Sequence, residues 1–153
     1  MRAMAGIRIV RAGRDELEDV VPLFDDYREF YEAGSDHAAA RAFLTERIGR
    51  DESVIFLAYS TPHGPVGFTQ LYPSFSSVSL KRLWILNDLF VRSGVRRGGV
   101  GRALLDRARQ HAAETGAKGL ILSTAVTNKQ AQTLYESCGW QRDEEFFQYH
   151  LFF

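Results

Sequence analysis

Hydrophobic residues recur along the 153-residue chain in two rhythms, and the switches between them mark out the elements. Ile7-Arg8-Ile9-Val10-Arg11 alternates with the two-residue period of an edge strand. Val20, Phe24, Tyr27 and Tyr31 then form one helical stripe, behind an Asp15/Glu18 capping box and ahead of Gly34, which ends the helix. A second helix is expected over about residues 35–50, burying Phe43, Leu44 and Ile48. Residues 54–59 and 66–72 read as a hairpin turned through Thr61-Pro62-His63-Gly64-Pro65; the serine-rich stretch 73–79 is a loop or a continuation of the strand. Leu83-Trp84-Ile85-Leu86-Asn87-Asp88-Leu89-Phe90-Val91 has the apolar density of a central strand. Val100, Leu104, Ala108 and Ala112 share the inner face of a third helix reaching about Gly116, with Arg102, Asp106, Arg109 and Gln110 off it. A fifth strand over Leu120-Ile121-Leu122-Ser123-Thr124, a fourth helix and a terminal hairpin through residues 146–152 complete the order βααβββαβαββ.

Composition narrows what such a chain is expected to do. Its length suits a single domain over residues 1–153, with a core of its own. Nineteen basic and nineteen acidic residues cancel, so no whole-chain charge draws it to nucleic acid or an anionic membrane. Cys138, the single cysteine, rules out an intrachain disulfide and a cysteine-rich zinc site and suits a reducing cytoplasm. No apolar run nears the ~20 residues of a membrane span, and residues 1–6 do not read as a signal peptide. His37, His63, His111 and His150 lack metal-ligand spacing, so no metal is expected.

The densest local signal is Arg96-Arg97-Gly98-Gly99-Val100-Gly101, set between the central strand and the third helix. A strand, a glycine turn and a helix start expose amides that lack intrahelical partners. The helix dipole adds roughly half a positive charge at the same point. Neighbouring arginines favour phosphate; a left-handed glycine turn serving geometry alone has the same letters. A Walker loop is excluded, because Gly101-Arg102-Ala103 offers neither lysine nor hydroxyl. A dinucleotide fingerprint fails where Leu104 replaces its third small residue.

Arg96, Gly99 and Gly101 do fit Arg/Gln-x-x-Gly-x-Gly/Ala. With the upstream Leu86-Asn87-Asp88-Leu89-Phe90-Val91, they resemble the acetyl-CoA signature of the GNAT N-acetyltransferase superfamily. Asn128, Ala131, Tyr135, Gly139 and Trp140 resemble the second signature of that family in spacing and order. Residues 72–77 and 86–91 are most similar to bacterial relatives of a fungal histone and polyamine acetyltransferase branch and to spermidine/spermine acetyltransferases. The latter carry Glu where this chain has Asn87. The resemblance implies an α+β GNAT fold: a mixed central sheet of about seven strands, flanked by four helices and splayed at the acetyl-CoA site. It also implies acetyl-CoA as co-substrate, with pyrophosphate on the backbone of Arg96, Arg97, Gly98, Gly99, Val100, Gly101 and Arg102. Phe90 and Val91 would offer backbone groups to the pantetheine arm. Asn128 fits a cofactor hydrogen bond and an N-terminal helix cap alike.

Attack of an amine on a thioester sets the chemical demands. An alkylamine with a pKa near 10.4 is neutral in about one part per thousand near pH 7.4, a handicap of roughly 4 kcal/mol. The site must desolvate it, deprotonate it, or both. The departing thiolate needs a proton, and Tyr135 occupies the family's general-acid position; its stripe with Ala131, Leu134 and Cys138 is also that of a core residue. Asp88 is the candidate for relaying a proton or orienting the amine, with an ordinary polar strand position as its alternative. Tyr27, Tyr31 and Asn87 are placed at the substrate. An enclosed pocket is expected from the cluster Tyr27, Phe30, Tyr31, Tyr72 and Phe75, although core packing explains the same aromatics. Asp25, Glu29 and Glu32 share a helical face that reads as solvated. The function expected is acetyl transfer to a primary amine of a small molecule, such as a polyamine or amino acid, by direct attack in a ternary complex. The alternatives are a protein lysine or N-terminus as substrate, and a non-catalytic CoA-binding module. The apolar segment 146–153 points to a homodimer.

Overall fold

Five strands and four α-helices emerge from these rhythms in the computed structural model, which describes residues 6–153. The reading of residues 1–6 as no signal peptide lies outside the described residues except at Gly6. Two units divide the chain, residues 1–123 and 124–153.

The first unit is a mixed sheet in the order β1 (Ile7–Ala12), β2 (Val54–Ser60), β3 (Gly64–Ser76), β4 (Lys81–Val91) and β5 (Gly119–Ile121). Neighbours are antiparallel except β4 and β5, which run parallel. Helices α1 (Leu17–Phe30) and α2 (His37–Gly49) precede β2, and α3 (Val100–Glu114) joins β4 to β5. β2 is apolar nearly throughout because both of its faces are covered. Ile55 and Leu57 join Val20, Phe24 and Leu44 of α1 and α2 in one cluster, while Phe56 meets His111 of α3 at 5.6 Å.

Several boundaries move for identifiable reasons. The cap forms two residues earlier than the sequence suggests and as half a box: Gly13 has no side chain to accept, but its N–H donates to Glu16 Oε1 at 3.3 Å, and a 3-10 turn over Arg14–Glu16 leads into α1. Asp36 caps α2, accepting from the Ala39 N–H at 2.9 Å. Phe43 is 38% exposed rather than core, whereas Leu44 is fully buried. The 73–79 stretch resolves mainly as strand, since β3 runs to Ser76. The fifth strand is shorter than expected, ending at Ile121.

In the second unit, α4 (Lys129–Ser137) forms as expected, but the terminal hairpin does not. Residues 140–153 carry no strand, so the described sheet has five strands, not about seven. The apolar pattern of Phe146–Phe153 is strand-like, yet a strand is defined by a ladder partner for its backbone, and none is formed here.

Candidate active site

One extra residue in β4 decides which side of the sheet Asp88 and Phe90 face. Leu71 pairs with Leu86 and Gln70 with Asp88, so Asn87 is the surplus residue of a β-bulge. Before the bulge, Trp84 faces α3, its ring 4.8 Å from that of His111. Strand side chains alternate strictly, so residues 88 and 90 of an unbulged strand would face α3 as well. The bulge turns them over. Phe90 packs on Tyr27 of α1 at 6.4 Å and on Phe68 at 6.5 Å, and Asp88 lies opposite Gln70 on that same side.

Asp88 is only 3% exposed. Its Oδ2 accepts from Gln70 Nε2 and its Oδ1 from Asn87 Nδ2 at 2.9 Å. The Tyr27 hydroxyl, beside the carboxylate, donates to the Asn87 carbonyl at 3.3 Å. Burial pushes the Asp88 pKa above the usual carboxylate range, and hydrogen bonds from Gln70, Asn87 and Tyr27 offset only part of that rise. Tyr27 and Tyr72 are raised above ordinary phenols, first by burial and then by the Asp88 charge, so both remain protonated donors. Gln70 is fully buried, and its Oε1 has no partner. Sequence reasoning missed Gln70, although a Thr69-Gln70 pair inside an apolar strand was the available signal.

Asp88 and Asn87 line a cavity of about 500 Å³. Helix α1 contributes Phe24, Tyr27, Arg28 and Tyr31, the α2 side contributes Ala40 and Phe43, and β3 contributes Tyr72. Tyr27 and Tyr31 meet edge to face at 5.1 Å, and Phe24 stacks on Phe43 at 5.8 Å. The predicted substrate residues Tyr27, Tyr31 and Asn87 are therefore brought together with Asp88. Phe30 and Phe75 are not among them: Phe30 rests exposed against Tyr31, and Phe75 lies exposed beneath Arg82. The α1–α2 connection that bounds this cavity is tied down by Asp25. Its carboxylate accepts from Ser35 Oγ at 2.6 Å and the Asp36 N–H at 2.7 Å, with His37 at 3.2 Å. Asp25 is thus fully buried rather than part of a solvated acidic face, and the Ser35 and Asp36 donors hold its pKa below the usual range despite burial. Glu32 lies past the end of α1, off the expected face. Carboxylate oxygens of Asp25, Asp26 and Glu29 fall within 4.8 Å of one another, a grouping the histidine spacing did not indicate.

At the end of β4 the glycine turn has the conformation its letters require. Gly99 caps α3 at φ 87°, Arg97 also adopts positive φ at 67°, and the first helical bond runs from the Ala103 N–H to the Gly99 carbonyl. The amides ahead of that bond begin a fifteen-residue helix, which suits a pyrophosphate. Arg96 braces the turn, donating from Nε to the Val91 carbonyl at 2.9 Å; Arg97, Gly98 and Arg102 are exposed and Gly101 is partly so. Close approach of α3 to the sheet depends on Gly67, where a Cβ would meet the Phe90 carbonyl at 2.7 Å and Val100 Cγ1 at 3.3 Å. The parallel ladder stops at Ile85 and Ile121, and β4 runs on to Phe90 and Val91 with no β5 partner. The β4 edge beyond Ile85 is therefore unpaired on the β5 side.

In the second unit, Asn128 Oδ1 accepts from the Ala131 N–H at 3.2 Å, the helix-capping alternative of its two readings. Tyr135 is half-buried, with its ring 6.1 Å from Trp140.

A glycine turn opening a helix, an open strand edge and a buried carboxylate over an aromatic cavity suit an acyl-transfer enzyme, and the comparisons show the family. Residues 20–140 match the acetyltransferase (GNAT) family model, and the chain belongs to that family as an N-acetyltransferase, whose donor is acetyl-CoA. It is 46% identical over 145 residues to the uncharacterized N-acetyltransferase YhfO of Bacillus subtilis, covering 95% of this chain and 97% of YhfO. A crystal structure described as a probable acetyltransferase, 48% identical, superposes with a TM-score of 0.90 over 95% of this chain and 97% of the other. The thialysine N-epsilon-acetyltransferase of Bos taurus is 30% identical over 159 residues, covering 97% of this chain and 92% of that protein. Among the described residues, no helix is long and apolar enough to cross a membrane.

Proposed function

We propose that this N-acetyltransferase acts on the primary amine of a small molecule, of the polyamine or amino-acid class, with Asp88 accepting the proton of the amine. The observation that carries the reading is the buried Asp88 carboxylate in an aromatic cavity. In such surroundings an ammonium pairs with the carboxylate, and desolvation disfavours both charges. It raises the acid and lowers the amine, which eases transfer of a proton from nitrogen to Asp88 and frees the lone pair for attack. Tyr27, Tyr31 and Phe43 offer ring faces and edges to an alkyl chain or cation. The likeness of residues 86–91 to spermidine/spermine acetyltransferases, and the activity for which the Bos taurus relative is named, both support an amine on a flexible chain.

Acetyl-CoA, when bound, supplies the acetyl group as a thioester. The turn from Arg96 to Arg102 is assigned to its pyrophosphate and the backbone of Phe90 and Val91 to its arm, because free helical amides and an unpaired strand edge are what those groups require. Tyr135, by its place in the second signature, is assigned the proton for the departing sulfur. The match of residues 20–140 to one family supports a single functional domain, and the exposed apolar segment 146–153 supports a homodimer. A cytoplasmic location fits the single cysteine.

The test is a panel of diamines, amino acids and lysine-bearing peptides, each incubated with acetyl-CoA while free CoA thiol is followed. Turnover of small amines is expected. Turnover confined to peptides would transfer the reading to a protein lysine or N-terminus, and no turnover with intact CoA binding would leave a binding module.

A further inference from the structure

Among the described residues, two charged side chains line the substrate cavity, and they have opposite signs: Asp88 and Arg28. Resting on the small-amine reading above, we infer that the substrate is an amine carrying a carboxylate at its other end, an amino acid rather than a polyamine, and that Arg28 selects it.

Arg28 follows Tyr27 on α1, half-buried, and its guanidinium is held in place by a 3.1 Å hydrogen bond from Nη1 to the Gly34 carbonyl. That bond uses one of five N–H donors. Among the described residues Arg28 forms no ion pair within 4 Å. Of the acidic neighbours on α1, Asp25 feels the Arg28 charge but takes its hydrogen bonds from Ser35 and Asp36 and its ion pair from His37, while Asp26 and Glu29 are exposed and do not line the cavity. A positioned guanidinium with unused donors suits a carboxylate, which it binds through two parallel hydrogen bonds.

The opposite end of the molecule follows from Asp88. Its carboxylate accepts an ammonium, so a substrate that spans the cavity meets a negative group at one end and a positive group at the other. A diamine would pair one ammonium with Asp88 and leave the second in a space of about 500 Å³ with the Arg28 cation. An ω-amino acid satisfies both charges, and its methylenes lie among Tyr27, Tyr31 and Phe43. Asn87 agrees with this assignment. It lines the cavity as a neutral amide and adds no second negative charge there.

The experiment compares three amines of equal chain length: 5-aminopentanoate, pentylamine and cadaverine, with lysine as a fourth. Wild-type kcat/KM is expected to be about 10- to 100-fold higher for 5-aminopentanoate or lysine than for cadaverine, the usual worth of one charge-assisted hydrogen-bonded contact. Arg28→Gln should collapse that ratio by raising KM for the carboxylate-bearing amines; Arg28→Lys should keep part of the ratio, and Arg28→Glu should favour cadaverine. CoA affinity by calorimetry and the thermal midpoint show whether each variant is folded, and should any fail to fold, the wild-type ratio still decides. Cadaverine equal to or better than 5-aminopentanoate in the wild type, or a folded Arg28→Gln that keeps the ratio, overturns the role of Arg28 and leaves the small-amine reading standing. Failure of every amine in the panel removes both.

Discussion

A carboxylate kept out of water destabilises the fold that holds it, and Asp88 is such a group. Its folded pKa is raised, so the native state binds a proton more tightly than the unfolded chain. The stability linked to that proton is fully present below the unfolded value near 3.9 and lost as pH rises through the folded value. Asp88→Asn should therefore match or exceed the wild-type thermal midpoint at pH 7–8, the more so because the unpartnered Gln70 Oε1 can turn to accept from the new amide. The same change should lower kcat by roughly 10²–10⁴, the range for a positioned proton acceptor. Gln70→Leu removes one of the donors that restrains the Asp88 pKa, so the acid limb of the kcat/KM profile should move to higher pH. A limb that stays in place would show that Asp88 does not titrate in the rate. Tyr135→Phe keeps the ring that meets Trp140 and removes only the hydroxyl. A kcat loss of about 10²–10⁴ with little change in the KM for acetyl-CoA is expected. Near wild-type turnover would return Tyr135 to a packing role. Most of these residues were legible as residue types at motif positions. Gln70 and Arg28 were not, because neither stands in a motif and their roles arise only from what lies opposite them.

The element that matters most is the β4–turn–α3 unit. Its glycine spacing was readable because a left-handed N-cap and the close approach of a ligand to the backbone both demand glycine. Gly99→Glu should abolish CoA binding by calorimetry, since it puts a side chain on a residue at φ 87° and a negative charge where pyrophosphate is expected. Retained affinity would place the pyrophosphate elsewhere. The bulge at Asn87 was not readable. Leu83 to Val91 has the composition of an unbroken central strand, and one surplus residue leaves no mark in an apolar run. The cap shifted for a similar reason: Gly13/Glu16 and Asp15/Glu18 have the same spacing, and only the turn geometry selects between them.

At the scale of the whole molecule, Phe146, Phe147, Tyr149, Leu151 and Phe152 are each at least 78% exposed, a larger apolar surface than isolated side chains present. A homodimer burying this segment is the expected state, and light scattering at tens of micromolar should return twice the chain mass of 17.3 kDa. A monomeric mass would leave the segment without that explanation.

The sequence by itself determined the family and the helical stripes, and it singled out the glycine turn, Tyr135 and Asp88 as candidates without identifying the base. Each of these is local, set by spacing within one element or by a short motif. The tertiary structure decided which side of the sheet Asp88 faces, that Arg28 shares its cavity, that Asp25 is buried and that residues 140–153 form no hairpin. Those outcomes depend on register and on partners distant in sequence. A two-residue alternation carries no record of a bulge, and a strand-like pattern does not specify the backbone that pairs with it.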